Sequence, residues 1–154
     1  MNINKQSQSK DTFTQDNEES AATLMLNGLQ VLLVEDEPDI AYLFTFVLED
    51  MGADVTRVFS VAEALAQLEQ HHPDVLICNI RLPDADGFYL LRRLRSLGMS
   101  QEELPAIAVS SYCREVNRQT ALDAGFQWYL PKPIDPNELA TEILRITGDK
   151  FEKM

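Results

Sequence analysis

Cysteine, glycine and positive charge are the scarce commodities in this chain. Its 154 residues include two cysteines, six glycines, one tryptophan, and 13 Lys plus Arg against 25 Asp plus Glu. Two cysteines, Cys78 and Cys113, cannot build a disulfide framework, so the fold has to rest on a packed core, and the thiols read as reduced. A formal net charge of −12 argues against a nucleic-acid surface or an anionic membrane as partner, because both select for positive charge. It favours cations and proteins with basic patches. No apolar run approaches the roughly 20 residues of a membrane span. The N-terminal MNINKQSQSKDTFTQDNEES has no apolar stretch of the secretory kind, and the location expected is cytoplasmic. Glycine is also missing directly after the first apolar run, VLLVEDEPD, which argues against a phosphate-cradling P-loop or a dinucleotide fold.

What is present is ordinary globular composition, 45% hydrophobic and 25% charged, in a length that suits one domain. Residues 1–28 are rich in Gln, Ser, Asn, Asp and Thr and cannot bury enough surface to offset their ordering entropy. They are expected to form a disordered tail, with a helical turn near Ala21–Leu26. Residues 148–154, GDKFEKM, read as a second tail, which leaves 29–147 as the folded domain. With so few residues after the last helix, no DNA-binding or catalytic output domain is expected.

Within 29–147, short apolar runs alternate with helix-period segments. The runs are Val31–Val34, Asp54–Val58, Val75–Cys78, Ala106–Val109 and Trp128–Leu130. Three are continuous and rich in Val, Ile and Leu, as strands buried on both faces are. Ile40, Leu43, Phe44, Val47, Leu48 and Met51 recur at helical spacing up to Gly52. Ser60 with Glu63 is a capping box for the next helix. Phe88, Leu91 and Leu94 mark a third helix, closed near Gly98. A fourth spans about Arg114 to Ala124 with Gly125 behind it. Asp135, Pro136 and Glu138 open a fifth.

Five βα units imply a parallel sheet with helices on both faces, joined by right-handed crossovers. Ligands of such sheets sit at the carboxyl ends of the strands. There the chain offers Glu35-Asp36-Glu37 after strand one, Asn79 to Gly87 after strand three, Ser110-Ser111 after strand four and Pro131-Lys132-Pro133 after strand five. Adjacent carboxylates repel, so a bound cation would relieve them, and hard oxygen ligands suit Mg²⁺. A lysine and a hydroxyl opposite the metal suit a phosphoryl group.

These segments, VLLVEDEPD, IRLPDADG, VSS and YLPKP in this order and spacing, resemble the receiver domain of two-component response regulators. The resemblance covers about residues 29–147 and implies a flavodoxin-like (βα)5 doubly wound sheet with strand order 2-1-3-4-5. It places Glu35 and Asp36 on the acidic pair that holds Mg²⁺ and the Arg81 carbonyl on a further metal ligand. Ser110 falls on the switch hydroxyl, Tyr129 on the aromatic switch and Lys132 on the phosphoryl-pairing lysine. The Lys132–Pro133 bond is expected to be cis. The implied partners are a histidine kinase or phosphotransfer protein and a downstream protein target. Docking or homodimerisation is expected on the face of helix four, strand five and helix five, where Trp128 and Tyr129 are the aromatic anchors.

One position departs from the pattern. The phosphorylated aspartate of receivers aligns with Asn79, and an amide, uncharged and with a delocalised lone pair, is no nucleophile towards phosphorus. Asn79 fits a natural receiver that has lost its acceptor or an engineered Asp→Asn replacement; deamidation is hindered by the β-branched Ile80. With Asn79 among the metal ligands, Mg²⁺ is expected to bind weakly. Two other functions stay open. One is a phosphate-independent dimerising scaffold. The other is a metal-dependent phosphotransfer or nuclease domain of the Toprim kind, built on Glu35 and Asp84-Ala85-Asp86, although the net charge opposes a nucleic-acid substrate. Elsewhere the plain readings suffice: His71 and His72 end a helix, Cys78 is a small core residue, and Arg92, Arg93 and Arg95 form a solvated helix face.

Overall fold

The structure, a computed structural model, describes residues 25–111 and 118–152. Five parallel strands, β1 (Gln30–Val34), β2 (Asp54–Val58), β3 (Val75–Asn79), β4 (Ala106–Ser111) and β5 (Trp128–Lys132), form one sheet. Their order is 2-1-3-4-5, the flavodoxin-like order expected. The helices between them are α1 (Pro38–Asp50), α2 (Val61–Gln70), α3 (Gly87–Ser96), α4 (Arg118–Ala124) and α5 (Pro136–Glu152).

Each apolar run is a strand because its neighbours bury it on both faces. All five residues of β3 are buried, as are Val31–Val34 and Ala106–Ser110, whereas the edge strands β2 and β5 are partly open. Side chains alternate across the sheet. Leu32, Val34, Leu76, Cys78, Ala106 and Ala108 pack under α2, α3 and α4. Val31, Leu33, Val75, Ile77, Ile107 and Val109 pack under α1 and α5. Each fully buried branched side chain contributes roughly 1.5–3 kcal/mol.

The helix starts follow their caps. Pro38 opens α1, Ser60 Oγ accepts from the Glu63 amide at α2, and Asp86 Oδ1 accepts from the Tyr89 amide at α3. The returning bond of the Ser60–Glu63 box reaches the Phe59 amide rather than that of Ser60. On α1 the buried stripe is Ala41, Phe44 and Leu48. Leu43, read as part of the apolar face, is exposed with Tyr42 and Phe46. Gly125 closes α4 at φ +113°, a left-handed conformation that costs glycine little.

Two boundaries differ from the expected 29 and 147. Leu26 is wholly buried and its amide donates to the Met51 carbonyl, so the core takes up the chain three residues before Leu29. At the other end α5 continues through Gly148 to Glu152. A single glycine costs a helix only about 1 kcal/mol and does not stop it. The remainder of the N-terminal tail, Cys113 and the expected start of the fourth helix lie outside the described residues. Among the described residues no helix is long and apolar enough to cross a membrane.

Candidate functional site

Parallel register brings Val34, Val58, Asn79, Ser111 and Lys132 to one edge of the sheet. Glu35 follows β1 directly, and its amide donates to the Val58 carbonyl. Its side chain is only 2% exposed. A carboxylate so buried requires partners, and both of its oxygens have them. Oε1 pairs with Lys132 Nζ at 2.9 Å. Oε2 accepts from the Glu37 amide at 3.1 Å and from Asn79 Nδ2 at 3.4 Å.

Asn79 stands at the last position of β3, 8% exposed. Its Nδ2 also donates to Asp36 Oδ1 at 3.1 Å and to the Arg81 carbonyl at 2.8 Å. Two carboxylates and a main-chain carbonyl thus converge on one point. An oxygen set of this kind fits Mg²⁺. Among the described residues no group of three or more His, Cys, Asp and Glu side chains could hold a metal; the third position here carries an amide.

The cleft in front has a volume of about 400 Å³ and is lined by Asp36, Glu37, Asn79, Arg81, Ser111 and Lys132. The structure therefore gathers Glu35, Asp36, Asn79, Arg81 and Lys132 as the sequence suggested. Ser110 lies behind the wall: it is fully buried and its Oγ donates to the Ser111 carbonyl at 3.2 Å. The hydroxyl-bearing residue that lines the cleft is Ser111, which strand alternation from Lys132 would have indicated, since the two are register partners. Tyr129 is half-buried against the α2–α4 side of the core, and the Lys132–Pro133 peptide is cis.

Trp128 and Tyr129 do not form one aromatic patch. Successive strand residues point to opposite faces, and Trp128 packs on the α1–α5 side. There two guanidinium groups lie over its ring, Arg118 at 5.4 Å and Arg145 at 4.7 Å from the ring centroid. Both aromatics reach the β5 edge between α4 and α5, from opposite sides of the sheet.

The D-x-D carboxylates have structural work. Asp84 accepts from the Val61 and Ala62 amides at 3.0 and 2.9 Å, closing the N-terminus of α2, and Asp86 caps α3. These amide bonds hold the Asp84 carboxyl below the usual carboxylate range. Both aspartates are engaged on helix ends, so the D-x-D of the Toprim-like arrangement serves as helix caps here. Burial, aided by the negative charges of Glu35 and Asp86, pushes the Cys78 thiol well above its ordinary range, which makes it inert.

The solvated-face reading of Arg95 does not hold. Its guanidinium is half-buried and donates to four carbonyls, those of Met99, Ser100, Leu104 and Gly125. Burial lowers its affinity for the proton. A lone arginine at the end of a helix carries no local sequence signal of such a role.

Comparison with known proteins agrees with this geometry. The family model of the response regulator receiver domain matches residues 31–144. A 14.6 kDa protein of Leptolyngbya boryana encoded in the sodA1 3′ region is 47% identical over 114 residues, 74% of this chain and 86% of that one. The transcriptional regulatory protein TrcR of Mycobacterium tuberculosis is 35% identical over 115 residues; the match spans 75% of this chain and 44% of TrcR. The receiver domain of a sensor histidine kinase from Pseudomonas aeruginosa, described with a magnesium ion coordinated in its active-site cleft, superposes with a TM-score of 0.69 at 31% identity, over 79% of this chain and 98% of that one. A doubly wound sheet of order 2-1-3-4-5, an acidic pair and a lysine at its carboxyl edge and a family match across the whole sheet make this chain a member of the response regulator receiver domain family, the module of two-component signalling.

Proposed function

We propose that this chain is a receiver that signals through protein contacts without taking up phosphate. The observation that carries the reading is Asn79 at the end of β3, facing Asp36 and Glu35 with Lys132 across the cleft. That is where a receiver needs a carboxylate nucleophile, and an amide supplies neither the charge nor the lone pair. The domain is then a signalling module and not an enzyme. Its upstream partner is a histidine kinase or phosphotransfer protein, and its output passes to a protein target.

Glu35, Asp36 and the Arg81 carbonyl are the residues that would hold Mg²⁺, with Asn79 in place of a third acid. When bound, the ion neutralises charge on an incoming phosphoryl group. One carboxylate fewer lowers the affinity of a hard-cation site, so binding by this chain is weak. Lys132 pairs with Glu35 and lines the cleft, where it is the ammonium that a phosphoryl group would meet. Ser110 supplies the switch hydroxyl from behind the wall, and Tyr129 is the aromatic whose setting follows the state of the site. The face of α4, β5 and α5 docks the partner or a second copy of the chain, with Trp128 as its anchor and Arg118 and Arg145 giving it positive charge in an acidic molecule.

Restoring the acid tests the reading. Phosphoryl transfer of this kind is mostly positioning and charge neutralisation, and those parts surround position 79. Asn79→Asp with Mg²⁺ and acetyl phosphate is expected to gain about 80 Da, one phosphoryl group, by intact-mass measurement, and the unaltered chain nothing. Lys132→Ala added to the Asp form is expected to impair accumulation of the phospho-form. Labelling of the unaltered chain, or an Asp form that stays unlabelled under every donor and metal condition, overturns it.

A further inference from the structure

We infer that the Asn79 carboxamide is a resident replacement for the divalent cation: its NH2 group occupies the place where the acid pair and the Arg81 carbonyl converge, so that metal has to displace it rather than use it. The inference rests on the receiver reading only for the choice of Mg²⁺ as the competing ion.

Asn79 Nδ2 lies 2.8 Å from the Arg81 carbonyl, 3.1 Å from Asp36 Oδ1 and 3.4 Å from Glu35 Oε2. All three of these partners are acceptors, which fixes which end of the amide faces them. Two N–H protons thus serve three oxygens, the longest contact being to the carboxylate that Lys132 already neutralises. The adjacent acids Glu35 and Asp36 are held together by a partial positive charge that belongs to the chain. Without it, Glu35 would be left with Lys132 and the Glu37 amide, and Asp36 would lose the Asn79 donor.

An entering cation meets a conflict at this residue. For Asn79 to lend its Oδ1 as a ligand the amide must turn over, and turning it over breaks all three Nδ2 contacts at once. The side chain is an oxygen ligand in one setting and an obstruction in the other, and the two roles predict opposite orders of affinity. If Asn79 were simply a weaker ligand than Asp, deleting the side chain would weaken Mg²⁺ binding further. If the amide holds the cation's place, deleting it frees the three oxygens for the metal and strengthens binding.

The measurement is an isothermal titration of MgCl2 into the full chain and its Asn79→Ala and Asn79→Asp variants. The expected order of affinity is Asp over Ala over Asn, with Ala about tenfold tighter than Asn, the equivalent of about 1.4 kcal/mol. Thermal unfolding should follow suit. The Ala variant is less stable than the unaltered chain without metal, and millimolar Mg²⁺ raises its midpoint by more, because the ion binds only the folded state. Affinity of the Ala variant equal to or weaker than that of Asn overturns the inference.

A second measurement needs no variant. In the unaltered chain the Asn79 side-chain NH2 should give a distinct NMR pair that exchanges slowly with water. An Asn79 NH2 that exchanges like an exposed amide overturns the inference as well. Phosphate uptake by Asn79→Asp with no gain of affinity in Asn79→Ala leaves the receiver reading standing and removes this one.

Discussion

Gly87 shows how a single residue sets the floor of the site. A Cβ built on it would lie 2.8 Å from the Asn79 carbonyl oxygen, 3.1 Å from Cys78 Sγ and 3.2 Å from Ile80 Cα. Two of the three are backbone atoms that cannot step aside. The Gly87 amide also donates to the Ile80 carbonyl at 2.8 Å, so the first turn of α3 lies directly on the end of β3. Gly87→Ala is therefore an overpacking change. It should destabilise the fold by about 1–3 kcal/mol, read as a lower urea midpoint, and shift the amide resonances of Asn79 and Ile80. A variant with unchanged midpoint would show that α3 can lift off β3 at no cost. The sequence marks this glycine only as part of a motif; the reason for it is a contact eight residues back along the chain.

At the scale of elements, Asp84 ties two units together. It lies in the loop between β3 and α3, and closes the first turn of α2 more than 20 residues earlier. Ser60 satisfies the next amide, so the amides of Val61, Ala62 and Glu63 all have acceptors. Hydrogen bonds to the charged form depress the Asp84 pKa, and the sign follows from that. The folded pKa lies below the unfolded one, so the contribution to stability is full above the unfolded value, about 3.9. It is lost as pH falls through the folded value. Asp84→Ala should lower the thermal midpoint at neutral pH, and by less at pH 3. The carboxylate is exposed to solvent, so salt should weaken the effect. An identical deficit at both values would assign the loss to packing instead of the charge.

This is also the scale at which sequence reading reaches its limit. The five βα units, the caps at Ser60 and Asp135, and Gly125 behind α4 are legible because each depends on neighbours within a few residues. Glu35, Asp36, Asn79 and Lys132 are legible because strand ends of a parallel sheet must meet. Asp84 as a cap for α2 and Arg95 as a carbonyl collector are not. Each depends on which segments of distant sequence lie side by side, or on the direction of one side chain.

For the whole molecule the relevant quantity is where charge of the rarer sign collects. In a chain of net charge −12, Arg118 and Arg145 both lie over the Trp128 ring. Cation–aromatic stacking of this kind is worth roughly 0.5–1 kcal/mol at exposed sites, and it orients the ring for contact. Truncating a central aromatic anchor often removes about 2 kcal/mol or more of binding. If the proposed face pairs two copies of the chain, Trp128→Ala should raise the concentration at which they associate in sedimentation equilibrium, with an unaltered far-UV spectrum. Self-association that responds to changes on α2 or α3 and ignores Trp128 would move the docking face elsewhere.

The Arg95 guanidinium carries a mechanical consequence. Through the Gly125 carbonyl it fastens the tail end of α4 to α3, and through Met99, Ser100 and Leu104 it fastens the same point to the connection entering β4. A helix pinned at one end cannot slide along its neighbours without pulling the pin. Any excursion of α4 that leaves these bonds intact is a swing about Gly125, small at that end and growing along the helix towards Arg118. The ring of Trp128, which Arg118 covers, sits away from the pin, where the travel is larger than at Gly125.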